Sequence, residues 1–114
     1  MGYYIDQVGG DKMIDKRIMF DEAWNNQDGE TVLYFTAPKE MLWGDYPEAV
    51  SMEISLEFPT DSAEPEYVDV SISPTRYIKE DDNYEDYDWR DISLPYVEIN
   101  ELIELARANG WSEQ

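Results

Sequence analysis

The sequence predicts an α+β fold: a small antiparallel sheet of three to five strands with a C-terminal helix packed on one face. Three patterns carry that prediction. Val50, Met52, Ile54, Leu56 and Phe58 alternate with Ser51, Glu53, Ser55 and Glu57, the period of two that marks a half-buried strand. Val68, Val70 and Ile72 repeat the alternation against Asp69, Ser71 and Ser73, so the two stretches form an antiparallel hairpin across the turn-rich loop 59–66. Ile99, Leu102, Ile103 and Ala106 then fall at i, i+3, i+4 and i+7, the apolar stripe of a helix over 95–109 that stops at Gly110.

The remaining elements follow in chain order. Tyr3, Tyr4, Ile5 and Val8 make a short edge strand or arm that ends at Gly9-Gly10. Over 12–26, Ile14, Ile18, Phe20, Ala23 and Trp24 fit one helix face, but Arg17 to Phe20 also fits a short strand followed by a helical turn. The periodicity does not decide between them. Lys12, Lys16 and Arg17 make this the least acidic part of the chain, and 25–29 is a turn. Residues 31–37 are uncharged, β-branched and aromatic, which predicts a central strand buried on both faces and ended by Pro38. Gly44 and Pro47 argue against a long helix over 39–47, where Met41, Leu42 and Trp43 are expected to cap the core. Pro74 is expected to end the second hairpin strand, and 75–79 leads into an acidic run that sits at one edge as a loop or short strand. Ser93 is the candidate helix cap, with Pro95 in the first turn. Tyr96 and Leu105 widen the apolar stripe, Glu98, Glu101 and Glu104 line the outside, and Trp111 folds back over the helix end.

Size and charge bound the function. The 114 residues are expected to form one domain, 1–114, with a single core. Twenty-seven carboxylates oppose eight bases, for a formal net charge of −19. Repulsion at that density opposes compaction, so a use for the charge is the sharper expectation beside solubility alone. Every basic-patch criterion for nucleic-acid binding fails, and the charge repels nucleic acid and anionic membranes alike. The absence of cysteine and histidine removes thiol nucleophiles, zinc–thiolate sites and every Ser-His-Asp arrangement. No window matches the calcium-binding loop pattern, because Arg90 stands where a third ligand belongs after Asp86 and Asp88. No catalytic residues, metal or cofactor are therefore expected. The N-terminus lacks a basic segment before an apolar one, and no apolar run reaches membrane-span length, so a cytoplasmic protein is expected.

The charge is concentrated. Residues 61–91 hold eleven carboxylates and three bases, or −8. At their centre Glu80, Asp81, Asp82, Glu85, Asp86, Asp88 and Asp91 are threaded with Tyr84, Tyr87 and Trp89. An acidic run without rings reads as a solvating tail, whereas these rings give it something to bury. Those residues, with Glu98 and Glu101, form the expected partner-binding set. The wet face of the hairpin adds Glu53, Glu57 and Asp69 with no base. The expectation is an acidic inhibitor that mimics DNA and blocks a basic nucleic-acid-handling protein, such as a nuclease, CRISPR effector or restriction enzyme. An immunity protein or antitoxin capping a toxin nuclease has the same surface chemistry. An adaptor that docks through Met41 to Trp43, with its charge serving solubility, is the remaining class.

Overall fold

The structure of the protein, a computed structural model, describes residues 16–26, 29–59 and 68–111. Its elements are β1 (Met19–Asn25), β2 (Glu30–Ala37), β3 (Ala49–Pro59), β4 (Asp69–Ile78), β5 (Asn83–Asp86), β6 (Arg90–Ile92) and α1 (Tyr96–Ala108). The strands form one antiparallel sheet in the order β1-β2-β3-β4-β5, with β6 also on β4. The helix covers one face. Leu102, Ile103 and Ala106 pack there with Leu33, Phe35, Ala37, Met52, Ile54, Leu56, Phe58, Val70 and Ile72. The α+β prediction holds. The expected arm over 1–12 and the loop 60–67 lie outside the described residues.

The ambiguous N-terminal segment is a strand, and a bulge explains the ambiguity. Phe20 pairs with Phe35 and Ala23 with Leu33, with a register shift at Asp21 between them. The extra residue puts Phe20 and Ala23 on the core face although they are three apart, the spacing of a helix. The strand runs on to Asn25 where a helical turn was the alternative.

β2 is buried on one face, not two. Thr31, Leu33, Phe35 and Ala37 are buried while Val32, Tyr34 and Thr36 are half-buried. A single helix shields a single face. The other face is sheltered locally by Trp24, whose ring lies 6.1 Å from that of Tyr34.

The alternation in β3 also breaks at its first member. Ala49 pairs with Arg76 and Ser51 with Thr75, so Val50 is the extra residue of a bulge. Ala49 is 3% exposed and Val50 is 50% exposed. The bulge reverses the phase, and Val50 leaves the core.

Pro74 lies inside β4 and does not end it. The strand survives because its outer neighbour is broken at that point. β5 pairs with 75–78 and β6 with 70–72, and Tyr87, Asp88 and Trp89 bridge the two pieces. The Tyr87 N–H donates to the Pro74 carbonyl at 3.1 Å. The missing proline N–H points to the same side as that carbonyl, where the ladder is interrupted, so little is lost. Asp88, at φ 136°, makes the break.

The helix begins at Tyr96 with Pro95 at its cap position and no side-chain cap, so Ser93 does not cap it. The Glu98 and Ile99 N–H groups donate to the Pro95 carbonyl at 3.0 and 3.1 Å. Tyr96 is 62% exposed and does not widen the stripe; Leu105 does. At the other end Trp111 N–H bonds the Ala106 carbonyl and Gly110 N–H the Arg107 carbonyl, with Gly110 at φ 106°. That doubly bonded glycine terminus turns Trp111 back onto Phe58, ring to ring at 6.0 Å.

Of the three helix glutamates placed outside, Glu104 is exposed, but Glu98 and Glu101 are half-buried. Glu98 is four residues before Leu102 and shares its flank, so it borders a cavity of about 210 Å³ walled by Ile18, Met41, Met52, Ile54, Ile72 and Leu102. Desolvation there, reinforced by Glu101, raises its pKa above the usual carboxylate value. Glu98→Met should therefore raise the melting temperature at neutral pH by about 2–4 °C, as followed by circular dichroism, since it removes a desolvated charge and adds apolar contact.

Candidate acidic interface

Strand register decides which side chains share the face opposite the helix. Directly paired residues point the same way, and residues alternate along each strand. Glu22 pairs with Tyr34, Thr36 with Glu53, Glu57 with Asp69, Ser71 with Asp91 and Thr75 with Asp86. All lie on that open face. Glu30 joins them two and four residues before Val32 and Tyr34, and Asp21 reaches the face from its bulge to accept the Thr36 hydroxyl. Its carboxylates are Asp21, Glu22, Glu30, Glu53, Glu57, Asp69, Asp86 and Asp91. Among the described residues no lysine or arginine occupies a strand position on this face. The arginines of β4 and β6, Arg76 and Arg90, sit one residue out of phase with Thr75 and Asp91 and turn the other way.

Hydroxyls hold three of these carboxylates in place. Thr36 donates to Asp21 at 2.5 Å, Thr75 to Asp86 at 2.5 Å and Ser71 to Asp91 at 2.7 Å. A base would orient a carboxylate and neutralise it. A hydroxyl orients it and leaves the charge, so the face is both fixed and anionic. The negative field registers on Tyr34, whose pKa is raised first by burial and then by Glu53, Glu22, Asp86 and Glu57. At the centre Glu53 of β3 stands close to two further carboxylates, Asp86 of β5 and Asp21 of β1. Desolvation first, then those two neighbours, push its pKa up to about 9, so it carries a proton at neutral pH.

The acidic run is folded. It forms a hairpin turn at 79–82, with Asp81 and Asp82 N–H groups donating to the Ile78 and Lys79 carbonyls, and then the two-piece edge strand. Asp82 takes φ 49° in that turn. The structure splits the expected binding set between the two faces. Asp86, Asp91 and Tyr84 belong to the open face. Tyr87 instead meets Tyr46 at 5.9 Å and lies beneath the Arg76 guanidinium at 4.9 Å. Asp88 accepts the Tyr46 hydroxyl at 2.5 Å, and Glu85 is paired with Arg76 at 2.5 Å. Trp89 is 45% exposed in the break, and Glu80, Asp81 and Asp82 are exposed at the turn. Glu98 and Glu101 sit on the helix, in the other layer. Asp21, Glu22 and Glu30 join the face from β1 and β2 without any local signal, since only long-range register places them.

Of the apolar connector, Leu42 and Trp43 pack against the core, and Arg90 covers the Trp43 ring at 4.7 Å. Among the described residues no group of three or more metal-ligating side chains is placed to hold an ion, and no helix is long and apolar enough to cross a membrane. Comparison with protein-family models, curated proteins and solved structures finds no match.

Proposed function

We propose that the protein is an acidic inhibitor whose open sheet face occupies the nucleic-acid channel of a basic protein, in the manner of a DNA mimic. One observation carries this reading: carboxylates from every strand share one face, three of them held by hydroxyls, and no described base occupies a strand position on it. Sheet geometry spaces such groups by about 4.8 Å across strands and about 6.6 Å along them. Duplex DNA offers one charge per ~1.7 Å of axis, spread over two strands. A channel built for closely spaced phosphates gains from a fixed carboxylate lattice by the same complementarity. The face has no chemistry of its own in this role; it blocks. The adaptor reading is weaker, because Leu42 and Trp43 pack against the core and of the three residues only Met41 is exposed.

The test is affinity capture from bacterial lysate on immobilised protein, eluted in rising salt and identified by mass spectrometry. Nucleases or other nucleic-acid-binding proteins eluting at moderate salt, and kept off the resin by added duplex DNA, are expected. Retention of neutral or acidic proteins that neither salt nor DNA removes would overturn the reading. A toxin nuclease among the captured proteins would assign the same face to immunity.

A further inference from the structure

The chain's own arginines reveal what its rings and carboxylates accept. Arg76 lies over Tyr87 at 4.9 Å while bonding Glu48 at 3.0 Å and Glu85 at 2.5 Å. Arg107 lies over Trp111 at 5.8 Å and pairs with Glu104, and Arg90 lies over Trp43 at 4.7 Å. Every cation–ring contact among the described residues is made by an arginine. A planar guanidinium stacks on a ring and bonds carboxylates in its own plane together, which an ammonium cannot do.

The open face contains the same combination, with no arginine of the described strands turned toward it. A groove of about 480 Å³ runs between the Tyr84 ring and Glu53, over Ser51, Thr36 and Thr75, with Val50 beside it. Tyr84 is 61% exposed and is steadied by the Tyr77 ring at 5.3 Å, whose hydroxyl is held by Asp82. Val50 reaches the groove because of the β3 bulge, which supplies an apolar wall beside Ser51 and Thr75. One end is therefore aromatic and apolar, matching an arginine stem, and the other is carboxylate, matching its head. We propose that this groove seats an arginine side chain of the basic partner, stacked on Tyr84 with its guanidinium at Glu53 and Asp86. The proposal rests on the acidic-interface reading and names the side chain that the interface selects.

The seat is linked to a proton. The groups acting on Glu53 are Asp86 from β5 and Asp21 from β1, with Tyr34 from β2 in its field and the neutral Thr36 and Thr75 beside it. None is basic. A guanidinium arriving at this cluster replaces the proton on Glu53, since it brings the same charge with more donors. Binding therefore releases a proton near neutral pH.

The test uses the full chain with fluorescent nona-arginine and nona-lysine at about 0.15 M salt. Nona-arginine should bind about tenfold more tightly, and calorimetry in two buffers of different ionisation enthalpy should show proton release near pH 7.5. Tyr84→Leu should bring the arginine peptide down to the lysine value, Tyr84→Phe should keep the preference, and Glu53→Gln should abolish proton release. Equal affinity of the two peptides for the wild-type chain, or a preference that Tyr84→Leu leaves intact, would overturn the seat. In that case an affinity for both peptides that Asp69→Lys weakens would leave the acidic interface standing. No binding of either peptide would remove both.

Discussion

Replacing Glu22 and Asp69 by lysine together is expected to weaken partner binding by about 100-fold at low salt while the fold becomes more stable. Both side chains are exposed on the open face, and both lie on strands held by core contacts. Two reversals remove two attractions and add two repulsions against a cationic channel. Like-charge contacts at an interface cost several kcal/mol, mostly at low salt. The effect on folding has the opposite sign. Asp69 faces Glu57 directly across β3 and β4, and like charges so placed are destabilising by a few tenths to about 1 kcal/mol. Lysine at 69 turns that repulsion into a cross-strand pair. Binding assays beside thermal melts separate the two effects, because a variant that melts higher and binds worse has lost contacts and not structure. Asp86 and Asp88 are a poorer pair to reverse: Asp86 is bonded by Thr75 and abuts Glu53, and Asp88 holds the Tyr46 hydroxyl on the other side of the edge.

Glu53→Gln is expected to flatten the pH dependence of stability, with a melting temperature about 8 °C above wild type at about pH 9 and equal to it at about pH 4. The sign follows from the raised value. Below the ordinary carboxyl value of 4.5 both folded and unfolded chains hold the proton, and the group contributes no pH dependence. Between 4.5 and about 9 the unfolded chain has lost the proton that the folded chain keeps, so stability falls as pH rises. Each pKa unit corresponds to ~1.4 kcal/mol. Solvent at this half-buried site screens much of that, which leaves about 2–3 kcal/mol. Glutamine keeps donors toward Asp86 and Asp21 and cannot ionise. Parallel melting curves for the two proteins across this range would show that Glu53 does not hold the proton.

Local patterning made much of this fold legible. The alternation in β3 and β4 located the hairpin, and the 3.6-residue stripe located α1 with its glycine terminus, because each side chain there answers to a face set by its own strand or helix. The failures share one cause. At Asp21, Val50 and Asp88 the chain inserts residues that shift its phase, and a bulge has no periodic signature of its own. The Asp21 bulge made β1 look part-helical, the Val50 bulge put a valine outside, and the break at Asp88 let Pro74 remain inside a strand. The acidic interface was half legible for a related reason. Glu53, Glu57 and Asp69 were visible in the hairpin alternation, whereas Asp21 and Asp86 meet Glu53 only after five strands have paired. The crowding at 80–91 drew the eye to a dense run, half of whose members the fold turns toward its own arginines and tyrosines.

Displacement of labelled duplex DNA from the captured partner tests the central claim most directly. Rising amounts of the wild-type chain should release the DNA completely, and the Glu22→Lys, Asp69→Lys double variant should release little at the same concentrations. A ternary complex in which the partner holds DNA and this protein together would contradict the account.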